Sequence, residues 1–171
     1  IMLTSMNVGS GKTFSSINLA TSLAIKGKKV IVIDLDLRKR SLSVFAGEPK
    51  VGVTDFLNGR ASDYKSLIVH NVGENPLDVL PVGTMPPNPA ELLVSEKFKK
   101  MIADLRNEYQ YIFMDCPPVD IVADTAIISR SADITVFVIR AGLFDKQALP
   151  ALDELYASGN YSRMAFILNG V

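Results

Sequence analysis

Scarcity narrows this chain before any motif does. One cysteine, Cys116, occurs in 171 residues, so no internal disulfide can form, which fits a reducing compartment. Neither sign of charge dominates: Lys+Arg and Asp+Glu are 18 each. Net charge therefore supplies no argument for a nucleic-acid groove or an acidic substrate, and no nucleic-acid partner is expected. The longest apolar runs, such as VIVI at 30–33 and ITVFVI at 134–139, are far short of the roughly 20 residues a membrane helix needs. No secretory n-region or h-region opens the chain, and no repeat, low-complexity segment or Gly/Ser/Pro-rich linker divides it. The length suits a single domain that can bury a core without metals or disulfides. The opening IMLTS and the closing FILNGV read as a domain, 1–171, cut at both ends.

What is present is an alternation of two kinds of segment. Short apolar runs recur at 1–4, 30–34, 77–82, 111–115, 134–139 and 164–169. Most are nearly continuous rather than alternating, as strands covered on both faces are. Between them lie helical spacings at 14–27, 88–109 and 146–159. Gly27 suits the end of the first. In the second, Asn88 reads as a cap, with Pro89 in the first turn and Glu91 three residues on. Pro150 is a first-turn residue or a kink in the third. The least periodic stretch, 47–76, holds a short helix at VTDFLNG and loops. Strands alternating with helices predict an α/β fold, a mostly parallel sheet with helices on both faces.

The stretch MNVGSGKT at 6–13 asks for more than a turn. Gly9 and Gly11 bracket Ser10, and Lys12 and Thr13 follow at once. Between a strand and a helix, a glycine-rich loop turns successive N–H groups inward around phosphates, and the helix start adds positive potential. Lys12 then reaches the β/γ-phosphates and Thr13 offers its hydroxyl to Mg2+. The strict pattern G-x4-G-K-[ST] fails at its first position, where Met6 stands. The bland alternative is a strand–helix turn with an exposed lysine.

Carboxylates weigh against that alternative. VIVIDLDLRKR ends an apolar strand in Asp34, then Asp36, and YIFMDCPP ends another in Asp115. Acids at the carboxyl edge of such strands face the crevice where open α/β sheets bind ligands. Asp34 alone would serve as a turn cap. Three acids beside a triphosphate repel one another unless a hard divalent cation lies between them. Of the other candidates, Arg38 steadies this turn or the phosphates, or forms a surface ion pair. Arg140 ends a strand at the same sheet edge. His70 reads as a loop-edge residue and Cys116 as a small buried filler.

These residues resemble the bacterial tyrosine kinases, the cytoplasmic domains of polysaccharide co-polymerases in capsule and exopolysaccharide export. The resemblance covers almost the whole chain. GSGKT matches the Walker A loop, VIVIDLDLR the Walker A′ pattern D-x-D-x-R, and YIFMDCPP the Walker B form D-x-P-P; MPPNPAELLVSEKF (85–98) and DTAIISRSADITVFVIRAG (124–142) resemble further family segments. It implies a P-loop NTPase fold that uses ATP and Mg2+, and an autophosphorylating protein tyrosine kinase at the cytoplasmic face of the bacterial inner membrane. It also implies a homo-oligomeric ring in the full-length protein, a transmembrane activator segment or subunit, and a tyrosine-rich tail phosphorylated on a neighbouring subunit. Nucleotide contacts would come from Gly9, Ser10, Gly11, Lys12, Thr13 and Phe14, with Asn169 near the base. Thr13, Asp36 and Asp115 would hold the metal. Lys12 and Asp34 would carry catalysis, Asp34 orienting or deprotonating the incoming phenol.

Two rivals remain in view. Related partition and septum-site ATPases carry an extra lysine five residues before the loop lysine; Asn7 stands there instead, which counts against an ATPase switch. The other rival is a nucleotide-dependent ring-assembly module. ILNGV offers Asn169 without a guanine-reading acid, so adenine is favoured. The five tyrosines, Tyr64, Tyr109, Tyr111, Tyr156 and Tyr161, lie in or beside predicted elements, which places the expected acceptor beyond Val171.

Overall fold

The computed structural model describes residues 1–37, 39–119, 124–161 and 163–171. Six strands, β1 (Met2–Thr4), β2 (Val30–Asp34), β3 (Asp78–Leu80), β4 (Tyr111–Asp115), β5 (Thr135–Arg140) and β6 (Met164–Asn169), form one sheet in the order β3-β2-β4-β1-β5-β6. All of its pairings are parallel, so the expected mostly parallel sheet is wholly parallel among the described residues. The helices are α1 (Lys12–Ile25), α2 (Val53–Leu57), α3 (Pro89–Val94), α4 (Glu96–Glu108), α5 (Asp124–Ser129) and α6 (Leu149–Ala157).

Successive side chains of a strand point to opposite faces, and here both faces are covered. Met2, Ile31, Ile33 and Met114 pack on one side with Leu93 of α3, Phe98, Met101 and Leu105 of α4, and Ile128 of α5. Leu3, Val30, Val32 and Phe113 turn to the other side, where α1 presents Ala20 and Ala24. Leu152 of α6 packs with Phe137 and Met6 in a smaller cluster beside β5. The parallel sheet and its two helical layers direct the ends of β1, β2 and β4 to one edge, which is where the site lies.

The helices differ from their expected bounds for local reasons. α1 starts at Lys12 rather than 14, and Gly27 closes it in the left-handed region (φ 76°) as foreseen. The continuous helix expected over 88–109 is two helices, broken at Ser95, whose backbone is extended (ψ 146°). The Ser95 hydroxyl accepts from the Phe98 N–H at 3.2 Å and donates to the Leu92 carbonyl at 2.6 Å. It thus caps the second helix while bonding the end of the first, and the apolar spacing runs through the break undisturbed. Asn88 does hold the cap position of α3, with Pro89 in its first turn, but its side chain makes no cap bond and donates to Glu91 at 3.3 Å instead. Pro150 lies in the first turn of α6 and makes no kink; a 3-10 turn, Lys146–Ala148, precedes it. α5, six residues long, is too short to show a helical period and was not foreseen as a helix.

At the other edge of the sheet, His70 lies at a loop as expected. Its Nδ1 is 2.9 Å from Asp78, whose second oxygen accepts from the Tyr109 hydroxyl at 2.7 Å. Burial, reinforced by that bond, pushes the Tyr109 phenol well above its ordinary value.

Replacing the Ser95 cap should cost about 1 kcal/mol, the usual effect of losing an N-cap hydroxyl. Ser95→Ala is expected to lower the denaturant midpoint accordingly. An unchanged midpoint would mean that packing alone separates α3 from α4.

Candidate active site

The loop between β1 and α1 is fastened from three directions. The Thr4 hydroxyl donates to the Pro117 carbonyl at 2.7 Å, and the Val119 N–H donates to Ser5 at 2.9 Å, tying the loop to the segment after β4. Inside the loop, the Ser5 and Ser10 hydroxyls both donate to the Asn7 carbonyl, at 2.7 and 2.9 Å. From the far side, Asn169 at the end of β6 donates to the Ser10 carbonyl at 2.9 Å. Arg140, its register partner on β5, donates to the Gly9 carbonyl at 3.0 Å.

Gly11 has φ 92°, and a Cβ there would lie 2.2 Å from the Asn169 amide nitrogen. Both backbone conformation and space therefore demand glycine at that position. Met6 needs none: its backbone avoids the left-handed region, and its side chain is buried against Phe137 and Leu152. The departure from the strict phosphate-loop pattern is thus a hydrophobic anchor in place of a glycine.

Three acids converge beside the loop. Asp34 and Asp115 are register partners on β2 and β4 and are both fully buried, while Asp36 is 5% exposed. Asp115 accepts from the Thr13 hydroxyl at 2.6 Å and from Ser16 at 3.2 Å. Asp34 accepts from the Asp36 N–H at 3.2 Å and from the Ser43 hydroxyl at 3.4 Å. Burial, then the fields of Asp115 and Asp36, push Asp34 well above the usual carboxylate range. Burial pushes Asp115 up to about 6, against the opposing effects of Thr13, Lys12 and Ser16. Cys116 is enclosed, and burial raises its thiol too, as suits an inert filler.

A cleft of 350 Å³ opens over the loop, lined by Val8, Gly9, Gly11, Lys12, Thr13, Phe14, Asp36, Lys39, Ser41 and Pro118. Phe14 stands at its rim, 63% exposed. Asp36 reaches the cleft and Asp34 lies behind it without exposed surface. A larger hollow, 690 Å³ around Lys29, Asp78 and Tyr109, lies at the opposite end of the sheet and has no phosphate loop. Among the described residues no tyrosine lines the cleft. Arg38 lies outside the described residues.

The donor set fits Mg2+ held together with a nucleotide. Thr13 aims its hydroxyl at Asp115, the pairing in which a loop hydroxyl and a strand-end acid bracket such an ion. Among the described residues no three His, Cys, Asp or Glu side chains form a metal cage by themselves. Ser16 and Ser43 escaped the motif reading. Ser16 stands three residues after Thr13, on the same face of α1, and that spacing was the available signal. Ser43 had none, since its approach to Asp34 depends on how the turn after β2 folds back.

A family model described as an AAA domain matches residues 1–157. The chain is 37% identical over 171 residues to the tyrosine-protein kinase YwqD of Bacillus subtilis, covering 99% of this chain and 71% of that protein. It is 42% identical over 149 residues to the tyrosine-protein kinase CpsD of Streptococcus pneumoniae, covering 86% of this chain and 65% of that one. The structure matches the kinase domain of the Escherichia coli tyrosine kinase ETK with a TM-score of 0.91 and 31% identity, over 99% of this chain and 66% of that chain. The chain thus spans about two thirds of YwqD, of CpsD and of the solved ETK kinase domain.

Crowded buried carboxylates carry a stability cost. A raised folded value means that the stability associated with the protonated acid is complete below the ordinary value of 3.8 and is lost as pH rises through the folded value. Asp34→Asn removes that loss and keeps an acceptor for the Asp36 N–H. Without Mg2+ at neutral pH, this variant should melt higher, by roughly 2–4 °C per kcal/mol gained, and the gain should shrink as pH falls toward 4. A lower melting point at neutral pH would show that the charge on Asp34 is compensated in the metal-free fold.

Proposed function

The chain belongs to the AAA-domain family of bacterial tyrosine-protein kinases, and on that premise we propose that it transfers the γ-phosphoryl group of ATP to tyrosine. The observation that carries the reading is the Thr13–Asp115 hydrogen bond of 2.6 Å beside two further strand-end acids. It joins a phosphate loop to the acid that would share its metal.

Phosphoryl transfer asks for in-line positioning and neutralised charge more than for covalent chemistry. The amides of Gly9, Ser10 and Gly11 and the ammonium of Lys12 hold the β/γ-phosphates, with Phe14 at the rim and Asn169 toward adenine. Thr13, Asp36 and Asp115 hold Mg2+, which when bound offsets the negative charge of the phosphates. A tyrosine hydroxyl has a pKa near 10, so a carboxylate can orient it and draw its proton. Asp34 takes that part, reached when the turn that carries Ser43 moves aside. A second reading gives the part to Asp36, because Asp36 already lines the cleft. Ring assembly, a transmembrane activator, a tyrosine-rich tail and a role in capsule or exopolysaccharide export belong to this proposal for the full-length protein at the membrane. Among the described residues no helix is long and apolar enough to cross a membrane.

Lys12→Met should weaken ATP binding at least tenfold, roughly what one charge-assisted hydrogen bond to phosphate supplies, with circular dichroism unchanged. Calorimetry that finds equal affinity would remove the nucleotide assignment. Unlabelled ATP should displace a labelled ATP analogue better than GTP does; equal competition would overturn the adenine reading.

This chain, with no tyrosine at the cleft among the described residues, is expected to bind ATP yet autophosphorylate poorly and stay mostly monomeric. A longer form that includes an upstream helix and a tyrosine tail should carry phosphotyrosine by mass spectrometry, and Asp34→Asn in that form should abolish it while sparing most nucleotide binding. Phosphotyrosine that persists in Asp34→Asn and is lost in Asp36→Asn while Mg2+ binding is kept would favour the second reading. Brisk ATP hydrolysis without phosphotyrosine would return the protein to the ATPase-switch class.

A further inference from the structure

We propose that the recess walled by Lys39, Arg40, Ser43 and Lys50 is an anion subsite for the acceptor peptide. It takes a carboxylate or phosphate side chain flanking the tyrosine to be phosphorylated. The proposal rests on the kinase reading and names the substrate class of that site. The recess has a volume of 380 Å³, with Val44 and Glu48 completing its wall. Among the described residues three cations there face one carboxylate, so the recess is positive in a chain whose overall charge is balanced.

Its position ties it to the chemistry. Ser43, in its wall, holds Asp34 through the 3.4 Å hydrogen bond, and Lys39 lines both the recess and the nucleotide cleft. The sheet order separates the two ends of the site. Asn169 and Arg140, which grip the phosphate loop, stand on β6 and β5. The recess follows β2, with β4, β1 and β5 between it and β6. A nucleotide with its phosphates on the loop after β1 and its base toward β6 leaves the β2 flank to the acceptor.

Arg40 is the second observation. Its backbone is held in the left-handed region (φ 54°), and one arm of its guanidinium donates to the Pro49 carbonyl at 2.8 Å. The Pro49 bond fixes the guanidinium at the wall of the recess, and a guanidinium held in one orientation suits a planar or tetrahedral oxyanion.

The test uses fluorescein-labelled tyrosine peptides identical except for Glu, Gln or phosphoserine flanking the tyrosine. They are titrated by anisotropy against this chain loaded with Mg2+ and a non-hydrolysable ATP analogue. The Glu or the phosphoserine peptide, or both, should bind at least about fivefold more tightly than the Gln peptide, as a charge-assisted contact in a partly exposed recess supplies. Which of the two is preferred identifies the anion as carboxylate or phosphate. Arg40→Gln and Lys50→Gln should each reduce the preference while circular dichroism and binding of the ATP analogue stay as they were. Lys50 is exposed, so its variant serves even where the Arg40 variant fails to fold. Equal binding of all three peptides, no binding of any, or a preference untouched in Lys50→Gln overturns the subsite. Phosphotyrosine formation is scored separately. Peptide discrimination without any phosphotyrosine would remove the kinase reading and leave the anion site standing, whereas equal binding with efficient phosphorylation of every peptide would do the reverse.

Discussion

Mutual repulsion among Asp34, Asp36 and Asp115 is the constraint around which the rest of the site is arranged. Two of the three have no exposed surface, and the protein answers them with hydroxyls, one backbone N–H and the nearby charge of Lys12. Neutral donors lower the cost of burying a carboxylate without removing it. A group that enters with positive charge therefore finds a prepared site, and the fold of the nucleotide-free chain carries the strain. Folds give up stability at positions where a ligand later restores it, and here the loss lies at the ends of the two adjacent strands β2 and β4. The helix that follows the phosphate loop contributes Thr13 and Ser16 to one acid, and the turn after β2 contributes Ser43 to another. Neither contribution is required for helix or turn formation.

Much of this could be read from residue order. The six strands and the loop–helix junction were legible because buried parallel strands are continuously apolar and because Gly9, Gly11, Lys12 and Thr13 occur in a pattern with a physical purpose. Asp34, Asp36 and Asp115 were legible as strand-end acids. The helices were read less well. Ser95 interrupts a helix without interrupting its apolar period, so a pattern of spacing cannot reveal the break, although a serine placed three residues before Phe98 is a cap signal that was available. α5 spans too few residues to display a period at all. The relative access of Asp34 and Asp36 was not legible either. Two acids separated by one residue look equivalent in sequence, and only the fold of the following turn puts one in the cleft and the other behind it.

The loop shows how a motif can lose a defining residue and keep its geometry. A glycine at the first position ordinarily lets the chain leave the strand tightly. Met6 leaves it with ordinary backbone angles and secures the exit by burying its side chain against Phe137 and Leu152. The remaining freedom of the loop is taken up by hydrogen bonds from Asn169 and Arg140, which are in register on neighbouring strands. The family resemblance puts Asn169 near the base, and the sequence puts Arg140 at the same sheet edge. Both hold loop carbonyls, Asn169 that of Ser10 and Arg140 that of Gly9.

The sheet order then gives the site a direction. Strands β5 and β6 steady the loop from one flank, while β2 carries the acids and the turn that follows them on the other. One side of the phosphate loop is consequently rigid, held by strand ends and side-chain-to-backbone hydrogen bonds. The other side is the turn after β2, where the Lys39 and Arg40 N–H groups donate to the Asp36 carbonyl at 3.1 and 3.3 Å and the Ser43 hydroxyl reaches Asp34 at 3.4 Å. A transferase needs this division: the donor must be held firmly, and the acceptor must enter, react and leave. Because Asp34 is enclosed by the looser side, the same segment that would admit an acceptor also controls access to the carboxylate that would receive its proton.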